Sequence, residues 1–210
     1  MDEVGSWLHG TPPARIDGHT LSLQRWADGD LDEQLEAILE STHELTRWMP
    51  WATGYDRAAC RAFLTLSRAG WDACTTFAYA TRSRGGQLVG GVGLHARIGT
   101  GGLETGYWVR TSATRRGYAS RTAALATAIG LGVEGVTFVE IHHDCANKVS
   151  GRIPARLGYH HIETVARDRE APGASGIALH WRMTADDYVG SPAARMVFDE
   201  TVAGDTGRIG

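Results

Sequence analysis

Residues Glu104–Leu125 read E-T-G-Y-W-V-R-T-S-A-T-R-R-G-Y-A-S-R-T-A-A-L. The run begins as a strand, passes through a short loop and opens a helix at Arg115-Arg116-Gly117-Tyr118-Ala119-Ser120. Beyond it residues 117–133 are alanine-rich, with Leu125, Ile129 and Val133 four apart, the spacing of one helix face. A helix that starts this way offers unpaired backbone N–H groups and the positive end of its dipole, which together make an anion site. Glycine and alanine let a ligand come close to the backbone, and two arginines add charge suited to phosphate. A pyrophosphate is the natural guest. Taken alone, the same residues also read as a solvated turn with two surface arginines.

The surrounding pattern sets the fold. Upstream, Thr20–Trp26 alternates apolar and polar residues as a strand. Asp28 or Asp30 can cap a helix carrying Leu31, Leu35, Ile38 and Leu39. Pro50 in R-W-M-P-W (47–51) stops helical structure. Asp56 can cap a second helix carrying Ala59, Phe63 and Leu66. Three strands, Thr75–Thr81, Gln87–Arg97 and Leu103–Arg110, are separated by the turns S-R-G-G and G-T-G-G. After the alanine-rich helix come a strand over 136–142, a helix over Asn147–Leu157 ended by Gly158, and strands Tyr159–Arg167 and Ile177–Thr184. This order predicts an α/β (α+β) fold, a mixed and mostly antiparallel central sheet with helices on both faces. The predicted organisation is an irregular arm over 1–18, one domain over 19–189 and a flexible tail over 190–210, without repeats or linkers.

Composition removes several classes. The 210 residues carry a formal net charge of −3, against the basic surface of a nucleic-acid binder. Lys148 is the only lysine among 21 Lys and Arg residues and sits in N-K-V, so no Walker A loop exists. Cys60, Cys74 and Cys145 are odd in number and widely spaced, which favours reduced thiols. No signal peptide or membrane-length apolar run is visible, so the expectation is a soluble cytoplasmic protein. His142-His143 and His160-His161 are adjacent on strands, so each pair points to opposite faces. No HExxH or CxxC supports a metal, and none is expected. Gly90-Gly91-Val92-Gly93 lacks a following helix and is no dinucleotide fingerprint. There is no G-x-S-x-G elbow.

A second element sits where it should if the loop binds a ligand. Asp144–Tyr159 reads D-C-A-N-K-V-S-G-R-I-P-A-R-L-G-Y, which puts Asn147 and Ser150 on one helix face. Asn147 can also cap that helix. E-x-G-Y-W-V, then R-R-G-Y-A-S opening a helix, then N-x-x-S with L-G-Y, resembles the GNAT acetyltransferases, most of all the RimJ/RimL-like branch, over about residues 20–188. The R-W-M-P-W segment resembles that branch too.

The resemblance implies transfer of an acetyl or similar short acyl group from acetyl-CoA to a primary amine. By it, Arg115, Arg116, Gly117, Tyr118, Ala119 and Ser120 hold the CoA pyrophosphate, and the strand at Trp108 and Val109 pairs with the pantetheine arm. A bulge there splays that strand from residues 136–142. Asn147 and Ser150 meet the pantetheine and the thioester end. The sequence departs from the family pattern at Thr114, where Gln or Arg is usual, at Arg115, where many relatives carry Gly, and at Pro154, where other branches place a Tyr acid. Ser150 is therefore the candidate acid for the leaving thiolate. Glu104 is the first candidate base and Glu44 the second. The Val109 N–H is placed to polarise the carbonyl, and Trp48, Met49 and Trp51 read as a substrate wall.

The acceptor is expected to be an amine on a protein N-terminus. A small-molecule amine (antibiotic, polyamine or amino acid) and a non-catalytic CoA-binding module are the alternatives. A homodimer is a family-level expectation, without nucleic acid or membrane as partner.

Overall fold

A computed structural model describes residues 10–205. The expected arm and tail therefore lie partly outside the described residues, at 1–9 and 206–210. Eight strands form one sheet in the order β1-β2-β3-β4-β5-β6-β8-β7. They are β1 (Arg15–Asp17), β2 (Leu21–Arg25), β3 (Thr76–Ser83), β4 (Leu88–His95), β5 (Gly102–Val109), β6 (Phe138–Asp144), β7 (His160–Ala166) and β8 (Ile177–Thr184). Every neighbouring pair is antiparallel except β5 and β6. The helices are α1 (Leu31–Glu40), α2 (Thr42–Thr46), α3 (Arg57–Asp72), α4 (Tyr118–Leu131), α5 (Lys148–Leu157), α6 (Ala185–Tyr188) and α7 (Pro192–Asp205).

The two faces of the sheet are packed differently. On one, α1 and α3 cover Trp26, Ala78, Ala80 and Leu88. On the other, α4 lies against Leu21, Leu23, Phe77, Tyr79, Leu94, Leu103 and Val139. Helix α4 is buried almost all round, which its alanines permit. A side chain at Gly130 would press on Val139 and Leu94, so the helix sits close to the sheet. Helices α5 and α7 extend this layer over Ile141 and Met183.

Several local expectations are corrected. The 1–18 arm contains β1, paired with β2. The 190–210 tail contains α7, whose Ala193 and Glu200 are buried. The stripe of α3 is Cys60, Leu64, Ser67 and Trp71 rather than Ala59, Phe63 and Leu66. Trp71 sets that phase, because its indole N–H donates to the Ala78 carbonyl at 3.2 Å and its ring packs edge-on against Phe77 and Tyr79. Leu66 and Leu39 are exposed. The glycines of β4 serve close packing. A Cβ at Gly91 would fall 2.8 Å from the Trp108 indole nitrogen, and one at Gly93 would fall 2.5 Å from the His95 ring. Among the described residues no helix is long and apolar enough to cross a membrane.

Candidate active site

The parallel pair β5–β6 runs together only from Gly102↔Phe138 to Thr105↔Ile141. Beyond it β5 stays on β4 as far as Val109↔Gly90, while β6 stays on β8 as far as Asp144↔Ala178. The two strands fork. The expected bulge is not there: the register of β5 on β4 is unbroken over six residues. Each strand simply follows its antiparallel partner, and sheet twist carries the two partners apart.

The fork leaves part of β5 unpaired. The Arg110 N–H donates to the Val89 carbonyl of β4 at 2.8 Å. By strand alternation, the N–H and C=O groups of Tyr107 and Val109 point the other way, into the fork. Both forking strands lead into helices, so the N-termini of α4 and α5 stand at this same end of the sheet. Ligands of open α/β sheets gather at such carboxyl ends.

The two helices begin differently. Asn147 caps α5, and its Oδ1 accepts from the Ser150 N–H at 3.1 Å. Helix α4 has no side-chain cap. Its N-cap is Gly117 at φ 79°, and Arg115 two residues earlier lies at φ 61°. These two left-handed residues turn the chain sharply into the helix, and its first amides are left without a side-chain partner, the kind of helix start that can meet an anion. Arg115 and Arg116 are exposed beside it, Tyr118 and Ala119 are half-buried and Ser120 is buried. One further arginine, just beyond the R-R-G-Y-A-S run and not marked by that motif, joins them. Arg121 sends its guanidinium across Gly117 and is held through Nε by Glu200 of α7 at 2.8 Å.

A cleft of about 120 Å³ occupies the fork, lined by Trp48, Met49, Gly106, Tyr107, His142 and Ser150 among others. The space above Gly106 is open, with nothing within 4 Å of a Cβ built there. The Tyr107 hydroxyl is buried without a hydrogen-bond partner and lies near Ser150. Burial pushes its pKa up to about 12, so it stays a proton donor at neutral pH. In the sequence Tyr107 was only one letter of a strand motif, and nothing there marked its hydroxyl as unpaired.

The remaining expected residues are divided by the structure. Trp48 and Met49 reach the cleft, but Trp51 does not. Pro50 starts a 3-10 turn that leaves Trp51 46% exposed, edge-on to Tyr55. Trp108 turns to the α1/α3 face, so at this position only the backbone of β5 is near the fork. Glu44 does not line the cleft; it accepts from Thr111 Oγ1 at 3.1 Å.

Glu104 is gripped by Arg97 through two hydrogen bonds, 2.8 and 2.7 Å. Burial raises its pKa, but Arg97 and the neighbouring histidines outweigh that, and the net shift is downward. Such a carboxylate holds its charge and is a poor acceptor of protons. Glu104 does not itself line the cleft, whereas Asp144 does; Asp144 accepts from the Ser175 N–H, the Ser175 hydroxyl and the Gly176 N–H. It thereby fixes the loop whose Gly173 N–H donates to the Arg47 carbonyl beside Trp48.

The donor atoms of Glu140, His142 and His180 lie within 4.8 Å of one another. They do not form a cation site. The two rings are stacked 3.6 Å apart and 8° from parallel, so their in-plane lone pairs do not converge, and Arg182 occupies the Glu140 carboxylate.

Residues 20–160 match the family model described as Acetyltransferase (GNAT) domain. The chain is also similar to three solved structures. Against Mycobacterium smegmatis RimJ in complex with CoA-disulfide the TM-score is 0.80 at 20% identity, over 90% of this chain and 97% of that one. Against RimL, a ribosomal L7/L12 alpha-N-protein acetyltransferase in complex with coenzyme A, it is 0.73 at 14%, over 85% and 99%. Against the microcin C7 self-immunity acetyltransferase MccE with acetyl-CoA and AMP it is 0.72 at 14%, over 79% and 93%. No curated protein sequence matches the chain.

Proposed function

Because the chain belongs to the GNAT acetyltransferase family, we propose that it moves an acetyl group from acetyl-CoA to the α-amine of a protein N-terminus. The observation that carries this reading is the fork, where a free strand edge, an uncapped helix start and a narrow cleft meet at one end of the sheet.

Each part has a task. The amides of Tyr118, Ala119 and Ser120, with Arg115 and Arg116, take the pyrophosphate of CoA. The inward groups of Tyr107 and Val109 pair with the amides of the pantetheine arm as an added strand would. The hydroxyls of Tyr107 and Ser150 donate to the departing sulfur. A thiolate with a pKa of roughly 8.5 needs only such modest help. The free amide of Asn147 reaches the same arm. Gly106 leaves room for the acceptor amine beside the thioester, and holding the two together supplies much of the acceleration. Glu104 is better fitted to attract an ammonium than to deprotonate it.

Cleft size favours a chain end as acceptor. About 120 Å³ is well below the roughly 300–1,000 Å³ that encloses a drug-sized ligand. It admits an amine and its first carbons, and the rest of the acceptor lies outside. Residues 168–176 and Trp48, tied together by the Gly173–Arg47 bond, form the rim such a chain would cross.

The test is thiol release from acetyl-CoA with hexapeptides beginning Ser, Ala or Met, set against spermidine, free amino acids and an aminoglycoside. Peptides should be acetylated at the α-amine, and Gly106→Leu should cut their turnover on the order of 100-fold while acetyl-CoA still binds. Turnover confined to the small amines would replace the acceptor assigned here.

A further inference from the structure

On the sheet face that carries Glu104 and Gly106, the forked end holds a buried strip of charge. The register places Glu104 beside Glu140 in β5–β6, and His142 beside His180 and Glu140 beside Arg182 in β6–β8. His142 sits at the centre. Its side chain is 6% exposed, and the residue lines the cleft. Nε2 lies 2.6 Å from the Glu140 carboxylate, and Arg182 holds the other oxygen of that carboxylate at 2.8 Å through its Nε. Nδ1 is buried with no hydrogen-bond partner. The nearest carboxylate to it is Glu104, at 3.6 Å, beyond hydrogen-bond range.

The neighbouring histidine shows what a purely structural imidazole looks like here. His143 Nδ1 donates to the Asp144 carbonyl at 2.9 Å, and its Nε2 accepts from the Trp181 indole at 3.0 Å. Both nitrogens are used. His142 has one used and one free, and the used one is fixed by a carboxylate. That arrangement selects the tautomer with the proton on Nε2 and leaves a lone pair on Nδ1.

We infer that His142 is the group that accepts the proton from the acceptor ammonium, with Glu140 as the residue that positions its ring. The inference rests on the acetyl-transfer reading above. Glu104, its charge secured by Arg97, draws the ammonium to the cleft. One N–H proton passes to Nδ1, and the resulting imidazolium stands between the Glu104 and Glu140 carboxylates. The freed lone pair forms the N–C bond as the C–S bond breaks. The nitrogen's second proton leaves with the thiol, and His142 returns its own proton to solvent. An α-amine, with a pKa near 8, asks less of this base than a lysine would.

The test measures rate against pH with acetyl-CoA and the Ser-initiated hexapeptide. The groups facing His142 are Glu104, Glu140 and the stacked His180, with Arg97 and Arg182 behind the carboxylates and His95 beside Glu104. His142→Gln should lower kcat on the order of 100- to 1,000-fold with the Kd of CoA unchanged. Its rate below pH 8 should then climb about tenfold per pH unit, following the free-amine fraction. Glu140→Gln should cost less and move the acid limb of kcat to lower pH, because a carboxylate that stabilises the imidazolium is gone. Long-range proton–nitrogen NMR of the resting protein should find Nδ1 unprotonated at pH 8. Wild-type kcat and an unchanged acid limb in His142→Gln would overturn the inference, as would a protonated Nδ1 at pH 8. If the protein binds CoA but acetylates no peptide, the acceptor reading fails by itself and the NMR result still decides His142.

Discussion

Helices α4 and α5 start at the same end of the sheet, each straight after one of the two forking strands, yet they solve the problem of the first turn in opposite ways. Helix α5 satisfies itself: Asn147 accepts from Ser150 in the manner of an ordinary N-cap. Helix α4 has Gly117 at that position and no capping side chain. It draws its support from elsewhere, through Arg121 and the buried Glu200 of α7. A helix that forgoes a cap worth about 1 kcal/mol keeps its amides for something else. On the function proposed above, the capped start positions side chains and the uncapped start receives the anion.

The largest expected effect comes from spoiling the uncapped start. In Gly117→Asp a side chain is forced onto a left-handed backbone and against Arg121, and a negative charge enters the helix start where the pyrophosphate is proposed to bind. CoA at 100 times its Kd should stabilise the wild type by about 2.7 kcal/mol, and thermal shift should show that gain abolished in the variant. Gly117→Ala separates the two causes, since it adds the backbone strain without the charge. Equal CoA shifts in wild type and Gly117→Asp would place the pyrophosphate elsewhere and dissolve the contrast.

A middle-sized effect should follow from removing the substitute for the cap. Glu200 is 3% exposed and accepts from the Thr20 N–H at 2.7 Å as well as from Arg121. Glu200→Gln keeps the shape and loses the charge opposite Arg121, whose side chain is 36% exposed. Leaving a buried partner uncompensated costs several kcal/mol at most, and water at Arg121 reduces that, so about 2 kcal/mol in urea unfolding is expected. The affinity for CoA should fall with it, because Arg121 is freed from its place over Gly117. A stability loss with unchanged CoA affinity would confine Glu200 to structure.

How far the sequence could be read follows the range of the signal. The meander, the alanine-rich helix and the loop at Arg115–Ser120 are written in local periodicity and turn residues, and they stand where expected. Strand β1 spans three residues, too few to show alternation. Helix α7 has a short apolar face, Ala193, Met196 and Val197, but the next position on that face is the charged, buried Glu200, and this breaks the pattern a local reading looks for. Trp51 misled because one proline decides which way an aromatic run turns. The polar strip was illegible for a different reason. Glu104, Glu140, His142 and His180 come together through the register of three strands, and no local pattern carries register between distant segments. His142-His143 looked like two equal residues on opposite faces. Only their partners, Glu140 for one and Trp181 with the Asp144 carbonyl for the other, tell them apart.

The smallest effect should come from the capped start. Asn147→Ala removes one acceptor at the head of a 10-residue helix, so its stability cost should be about 1 kcal/mol. The contrast between the helices turns on what else it changes. If Asn147 only caps, the variant should bind CoA as the wild type does, and Asn147→Asp, an equally good cap, should restore stability and be otherwise silent. If its amide also donates to the pantetheine arm, Asn147→Asp should recover stability without recovering affinity, since an aspartate accepts at both oxygens and donates at neither. Urea unfolding and CoA titration of the two variants separate these outcomes, and the second is the one expected. A start that is capped by its own side chain still has that side chain's N–H groups to offer, whereas α4 offers its backbone.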